Sequence, residues 1–131
     1  MRGNTAVSSF NKHKRVINTL LSQYFPSVYY QLCPTGVFPR AEFELRQLNV
    51  ENIPFEKYIL TLNCFDKGQD ENINDAIDSF LAAVDKSIRY TDEFYYQFFY
   101  QNDRQPVPDA DKTIKRTMLA VEVRVYPRSE E

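Results

Sequence analysis

The single histidine of the chain, His13, is the residue best suited to acid–base chemistry near neutral pH. It lies between Lys12 and Lys14 in a segment with helical periodicity, where we expect an exposed imidazole rather than a catalytic one. A catalytic triad requires a histidine, and the chain offers no other one. The sequence also contains no GxSxG, P-loop, GxGxxG or paired CxxC motif, so no motif supports nucleophilic catalysis or nucleotide binding.

Two cysteines, Cys33 and Cys64, are the other candidates for nucleophilic or redox chemistry, but neither has a histidine nearby in sequence. The N-terminal stretch MRGNTAVSSFNKHKR lacks the apolar region of a signal peptide, and no window approaches the roughly 18 to 20 apolar residues that cross a bilayer. We therefore expect a protein that stays in the cytosol, away from membranes, with both thiols reduced and half-buried.

Two acidic segments, DKGQDEN at 66–72 and PDADK at 108–112, contain carboxylates of the kind that bind hard cations. Their spacing lacks the alternating ligands, central glycine and distal glutamate of a calcium loop. We interpret the first as a helix cap and the second as a solubilising loop, and we predict no metal, no cofactor and no enzymatic activity. Convergence of two distant carboxylates for acid–base catalysis is an alternative that the sequence leaves open.

The most unusual segment is Phe94–Tyr100, in which six of the seven residues are aromatic. Rings on a sheet can stack on bases, so one hypothesis is a module that binds single-stranded nucleic acid. That function predicts neighbouring cations, but the flanking residues are acidic and Arg104 is the one local positive charge. The other hypothesis is assembly, because interface cores are enriched in tyrosine, phenylalanine and arginine.

Charge is distributed unevenly along the chain. Residues 1–41 contain five basic and no acidic residues, so the remainder carries a net charge of about −7. Such polarity suits a protein that meets oppositely charged surfaces at its two ends, although a solvated basic helix start would give the same pattern.

Two amphipathic helices are predicted. The first begins at Ser8 or Ser9 and ends near Tyr24, before a proline that disfavours helical geometry. The second has Asn72 as its N-cap and Asp75 at the N3 position. The second helix has apolar residues at three- and four-residue steps: Ile73, Ile77, Phe80, Leu81, Val84 and Ile88.

Alternating polarity predicts strands in SVYYQL, AEFELRQL, KYILTLNCF, the aromatic segment and TIKRTMLAVEVRVY. In AEFELRQL we expect Ala41, Phe43 and Leu45 to be buried, and Glu42, Glu44 and Arg46 to be solvated. The connections are short and favour antiparallel neighbours. We predict an α+β fold in the order α-β-β-β-α-β-β, with a mainly antiparallel sheet of about five strands and two helices packed on one face. Residues 1–131 form one domain, with flexible tails at 1–8 and 127–131.

Several segments resemble the small tail-completion and tail-terminator proteins of long-tailed bacteriophages and prophages: VYYQLCP, FPRAEFEL, KYILTLNCFDKG and DADKTIKRTMLAVEVRVY. The likeness covers roughly residues 10–127. Its most suggestive pieces are Phe38-Pro39 opening a strand, Cys64-Phe65-Asp66 ending one, and Ile114-Lys115-Arg116 leading into the last. Arg40 stands where such relatives often have an aromatic residue.

The resemblance implies a ring, commonly of six copies, that caps the head-proximal end of the tail tube and stops its polymerisation. Expected partners are other copies of the chain, the tail tube protein and the head connector or neck protein, with DNA only passing through the lumen. The resemblance places the protein in the bacterial host cytoplasm during assembly and later in the virion tail or head-tail junction. A head-tail connector, or minor capsid, role is the alternative.

The expected contact residues fall into two groups. For the subunit interface we predict Tyr95, Gln97 and Phe99, on the sheet face that the helices leave uncovered. For contacts with the tube or connector we predict two loops, at 34–40 and 102–112. The named loop residues are Phe38, Pro39, Arg40, Arg104, Asp109, Asp111 and Lys112.

Overall fold

Within residues 9–31, 37–49 and 52–128, the part of the chain that this computed structural model describes, there are two helices and seven strands. The helices are α1 (Ser9–Leu21) and α2 (Glu71–Val84). The strands are β1 (Val28–Tyr30), β2 (Arg40–Leu48), β3 (Glu56–Lys67), β4 (Ile88–Tyr90), β5 (Phe94–Tyr100), β6 (Gln105–Val107) and β7 (Ile114–Pro127).

The strands form one sheet in the order β1-β2-β3-β7-β5-β4, with β6 also paired to β7. All pairs are antiparallel except β1 with β2, which is parallel. The predicted α+β class and mainly antiparallel sheet are confirmed, but the strand number and order differ. Two short strands were missed, because β4 lies where we predicted the end of the second helix and β6 lies inside the predicted polar loop.

Both helices pack on the same face of the sheet, as predicted, and the core lies between the two layers. Alternate residues of the long central strands β3 and β7 face this core, while Ile17 and Leu21 of α1 and Ile77 and Phe80 of α2 cover them. Full burial of one such side chain stabilises the fold by about 1.5–3 kcal/mol. The residues on the opposite face of the sheet form what we call the open face.

The boundaries of both helices differ from the prediction. Helix α1 ends at Leu21 rather than near Tyr24, and its possible cap Ser8 lies outside the described residues. Helix α2 begins at Glu71, and the Gln69 side chain, not Asn72, accepts the first free backbone N–H groups. The long amide side chain of Gln69 reaches the helix start from outside, so a cap at Asn72 is not needed.

Side-chain placement corrects two other predictions, while the flexibility of the C-terminal tail stays a prediction. Ile88 belongs to β4 and is 46% exposed, so it is not part of the buried stripe of α2. Glu42 is only 7% exposed, because the Arg40 guanidinium packs against it and donates a hydrogen bond to its carboxylate at 2.9 Å. Arg128, expected in a flexible tail, donates hydrogen bonds to the Glu93 and Thr91 carbonyls. Residues 129–131 lie outside the described residues, as do 1–8.

Candidate interaction surface on the open face

The alternation of β5 places the three predicted interface residues together on the open face. Tyr95, Gln97 and Phe99 are half-buried there, whereas Tyr96 and Phe98 point into the core and are fully buried. The prediction of their placement is therefore confirmed, and whether they contact another subunit stays a prediction. Gln97 lies opposite Arg124 of β7, and Phe99 lies opposite Glu122.

A row of aromatic rings crosses the open face at the end of the sheet where β5 begins. Tyr95 and Tyr126 stack in parallel, with ring centroids 4.6 Å apart and an interplanar angle of 4°. Tyr90 lies 5.7 Å from Tyr95 on one side, and Phe55 lies 5.0 Å from Tyr126 on the other. Tyr90 is 62% exposed, an unusual exposure for a large aromatic side chain on a sheet. The row therefore presents a continuous apolar patch to solvent.

Arg124 joins this row to Phe99. Its guanidinium carbon lies 4.6 Å from the Phe99 ring centroid and 5.3 Å from that of Phe55, within cation–π range. Its Nε also donates a 2.6 Å hydrogen bond to Glu122, and this bond raises the pKa of Arg124 above its usual value. Lys57 approaches the same carboxylate at 3.8 Å.

We name the six residues Phe55, Tyr90, Tyr95, Phe99, Arg124 and Tyr126 the aromatic–arginine surface. Sequence reasoning identified Tyr95 and Phe99 but missed the rest, because it counted only the charges next to the aromatic segment. Arg124 is far from that segment in sequence and is brought to it by the β5–β7 register. The strand alternation of TIKRTMLAVEVRVY, which puts Arg124 and Tyr126 opposite the core, was the signal that could have found them.

The first predicted loop lies at the other end of the open face. Arg40 is not a loop residue but the first residue of β2, and its side chain is only 11% exposed. It stacks on Phe65 at 4.1 Å and on Phe38 at 4.8 Å, which leaves little of the guanidinium free. Phe38 and Pro39 are half-buried beside it, and residues 34–36 of this loop lie outside the described residues. Along β7 the two ends of the open face are about 30 Å apart.

The second predicted loop is held against α2. Arg104 donates hydrogen bonds to Asn74, at 2.9 Å, and to Asp78, and its backbone N–H contacts the Tyr100 hydroxyl at 3.2 Å. The loop also contains strand β6, so part of it is regular secondary structure rather than an irregular solubilising loop. Arg104 is therefore engaged within its own chain, although about a quarter of its side chain is exposed.

The acidic part of the same loop is built from local turns. Asp109 accepts a hydrogen bond from the backbone N–H of Asp111, and Asp111 accepts two from Thr113, which hold the pKa of the Asp111 carboxyl below its usual value. Asp109 and Lys112 line a shallow cavity of about 370 Å³. Lys112 and Asp111 are exposed, so this segment remains available to a partner.

His13 is buried, and the prediction of an exposed imidazole is wrong. Its Nδ1 lies 2.8 Å from the Tyr96 hydroxyl and its Nε2 lies 3.2 Å from Glu56, which also accepts a hydrogen bond from Tyr58. Burial lowers the pKa of His13, and the Glu56 carboxylate partly opposes that shift. The spacing to Ile17, one helical turn further on, places His13 on the buried side of α1.

The His13 cluster has the donors and acceptors of a proton relay, and its outer member, Glu56, is 43% exposed and lines a cavity of about 400 Å³. A neutral imidazole satisfies the whole cluster if Tyr96 donates to Nδ1 and Nε2–H donates to Glu56. Tyr96 is fully buried, so its hydroxyl has no contact with solvent. The arrangement therefore stabilises the junction between α1 and the sheet. The described residues contain no group of three or more potential metal ligands, and none of their helices is long and apolar enough to cross a membrane.

Comparisons with known proteins do not assign this chain to a family. No protein-family model matches the sequence, and a search of curated proteins finds no match either. The functional argument therefore depends on the residues of the chain itself, and above all on the open face.

Proposed function

We propose that the protein is an architectural component of a long-tailed bacteriophage or prophage. It forms a ring, of about six copies, at the head-proximal end of the tail tube, ends tube polymerisation and offers a joining surface to the head connector. The proposal rests on the sequence resemblance over residues 10–127 and on one structural observation. That observation is the aromatic–arginine surface, which leaves Tyr90 exposed and four other rings half-exposed on the side of the sheet away from the helices.

The chemistry of this surface suits a protein partner. Tyrosine and arginine are enriched among the residues that dominate binding energy, and truncation of such a residue at the centre of an interface costs about 2 kcal/mol or more. The rings are already stacked on each other and on Arg124, so they lose little conformational freedom when a partner covers them. Tyr95, Gln97 and Phe99 are the residues we assign to the subunit contact.

A closed ring provides the mechanism, and no bond is made or broken. In a heterologous ring each subunit uses two different patches, so the assembly stops growing once the last patch is occupied. The ring can then cap one end of a tube while its far side meets another protein. The Phe38-Pro39 segment and the exposed turn at 109–112 are the surfaces we assign to the tube and the connector. DNA passes through the lumen without being bound.

The test is the double variant Tyr95→Ser/Phe99→Ser. We expect it to fold, because both side chains lie outside the core, and to form no rings in sedimentation velocity or negative-stain images, either alone or on isolated tail tubes. Tyr24→Ser is the matched control, since it removes a half-buried ring that packs on Phe80 in the helix layer. The control should lose stability yet still assemble. Unfolding of the double variant would show that these rings are core residues, and the proposal would fail.

Two other roles remain as candidates. A head-tail connector role uses the same architecture and is distinguished by which isolated particle, tube or head, the ring binds. Binding of single-stranded nucleic acid is favoured by one observation, that Arg124 and Arg128 lie over the rings Phe99 and Tyr90. Glu122 pairs with Arg124 and so neutralises one of those two charges. A fluorescence titration with an oligonucleotide at two salt concentrations separates this role, which predicts tight binding that weakens steeply with salt.

A further inference from the structure

Helix α2 carries an acidic stripe on its outer face. Glu71, Asp75 and Asp78 follow at positions i, i+4 and i+7, so they lie on one side of the helix, and all three are exposed. The segment 70–85 contains five acidic residues and no basic one. Asp78 is paired with Arg104, whereas Glu71 and Asp75 form no ion pair with any described residue. Glu71 and Asp75 therefore give the stripe a negative surface that the described part of the subunit does not compensate, while Asp78 is already compensated by Arg104.

Two neighbouring rows of the open face have the opposite charge, beside a row that contains the exposed carboxylate of Glu44. One cross-strand row contains Arg46, Ile59, Glu122 and Phe99, and the next contains Leu48, Lys57, Arg124 and Gln97. These two rows hold three basic residues and one carboxylate, and they include two of the three residues assigned to the subunit contact. Arg46 is exposed and forms no ion pair within the described part of the chain. We name these two rows the basic rows.

The dimensions of the two surfaces agree. The acidic stripe spans seven residues of helix, which is about 10 Å. Arg46 on β2 and Arg124 on β7 are two strand spacings apart across the sheet, about 10 Å, and two residues apart along it, about 7 Å, so their backbones are separated diagonally by about 12 Å. A helix lying diagonally across the strands would therefore reach from one guanidinium group to the other, with Glu71 at one end of the stripe and Asp78, already paired with Arg104, at the other.

We propose that the acidic stripe of α2 docks on the basic rows of the next copy, and that it is the second patch of the ring interface. This inference rests on the proposed function and adds the surface that the open face meets. The charges on the other surfaces of the subunit argue against them as partners of the basic rows. The outer face of α1 carries Lys14 and Arg15, which the basic rows repel, and two open faces packed against each other would also bring like charges together.

The experiment reverses each surface separately. One variant carries Arg46→Glu and Lys57→Glu, which leaves the contact between Arg124 and Glu122 in place. The other carries Glu71→Lys and Asp75→Lys. We expect each variant alone to fold and to raise the apparent dissociation constant for ring formation at least about tenfold, because like charges now face each other in every contact. Ring formation is measured by sedimentation velocity and negative-stain images, in free solution and on isolated tail tubes.

Mixing the two variants provides the decisive measurement. In an alternating ring every contact pairs opposite charges again, some in the original sense and some reversed, so rings of even number should return. A chain that carries all four substitutions should also assemble. The matched control is Lys14→Glu/Arg15→Glu, which makes an equal charge change on α1 and should assemble like the wild type.

The outcomes separate this inference from the proposed function. If wild-type rings form and the charge variants assemble normally, or if mixing fails to restore rings, the inference is overturned and the proposed function stands. A symmetric pairing of open faces would leave the Glu71→Lys/Asp75→Lys variant unaffected, and that result also overturns the inference. If the wild type forms no ring in solution or on tail tubes, the proposed function itself is wrong.

Discussion

Rings on the two sides of β5 have the same chemistry and different surroundings. Tyr96 and Phe98 face the helices and are fully buried, whereas Tyr95 and Phe99 face outward and are covered only by neighbouring rings and Arg124. An aromatic-rich strand is thus no evidence of function by itself, since half of its rings belong to the core. What distinguishes the open side is the set of residues that the adjacent strands bring beside it.

The largest expected effect comes from truncating one ring on each side. Phe98→Ala should lower the free energy of unfolding by about 3–5 kcal/mol, because it leaves a cavity in a fully packed core. Phe99→Ala should cost less than about 1.5 kcal/mol, because its site is open to water. Urea denaturation of both variants measures the difference. Equal costs would mean that the open side is also core.

The His13 cluster offers the next largest effect, on the buried side alone. His13→Leu keeps an apolar contact with the sheet but leaves the Tyr96 hydroxyl without its partner, so the free energy of unfolding should fall by about 1–3 kcal/mol. Arg15→Leu is the control at an exposed position of the same helix and should change stability by less than about 0.5 kcal/mol. Unchanged stability in His13→Leu would show that the hydrogen bonds of the cluster do not stabilise the fold.

The same cluster predicts a pH dependence. Burial lowers the pKa of His13 in the folded state relative to 6.5, so the unfolded chain binds more protons in mildly acidic solution. The contribution of His13 to stability is complete above about pH 6.5 and is lost as the pH falls through the lower pKa of the folded state. Lys12 reinforces the shift, and Glu56 and Glu93 oppose it. Urea midpoints between pH 7.5 and 5 should fall in the wild type and change less in His13→Leu.

Thiol labelling compares the solvent accessibility of the core face and the open face of the sheet. Cys64 faces the core, and burial raises its pKa to about 12, so in a Cys33→Ser background it should react with a thiol reagent only when the fold opens. A cysteine introduced by Thr61→Cys in the same Cys33→Ser background, on the open face, should react readily while Cys64 stays unlabelled. Protection of that second thiol on ring formation would report burial of the open face. Rapid labelling of native Cys64 would contradict the packing of this layer.

Periodicity was sufficient to predict most of the fold. The strand alternation around Phe43, the apolar steps around Ile77 and the long final strand all came from local patterns that survive in the structure. The short strands β4 and β6 were not predictable, since three residues carry no usable period and their pairing depends on β5 and β7. The parallel pairing of β1 was missed for a similar reason, because it depends on the path of the chain between the strands.

The candidate site was only half predictable. Strand alternation alone placed Tyr95 and Phe99 on the uncovered side. Arg124 and Tyr126 join them through register, a property that a single sequence does not specify. Arg40 was assigned to the loop because the predicted strand began one residue later, at Ala41. His13 was misread from its charged neighbours, although its spacing to Ile17 indicated the buried stripe. Local composition therefore gave the wrong environment for residues whose burial and neighbours are set by contacts with segments distant in sequence.

The position of β7 constrains how the chain folds during synthesis. This strand follows all the others in sequence, yet it lies in the middle of the sheet, between β3 on one side and β5 and β6 on the other. Until residues 114–127 have left the ribosome, the two halves of the sheet have no common partner and expose two unpaired strand edges. Folding must therefore wait for nearly the whole described chain, and such long-range pairing is slow. The sheet of the described residues is therefore complete only after its last strand has been made.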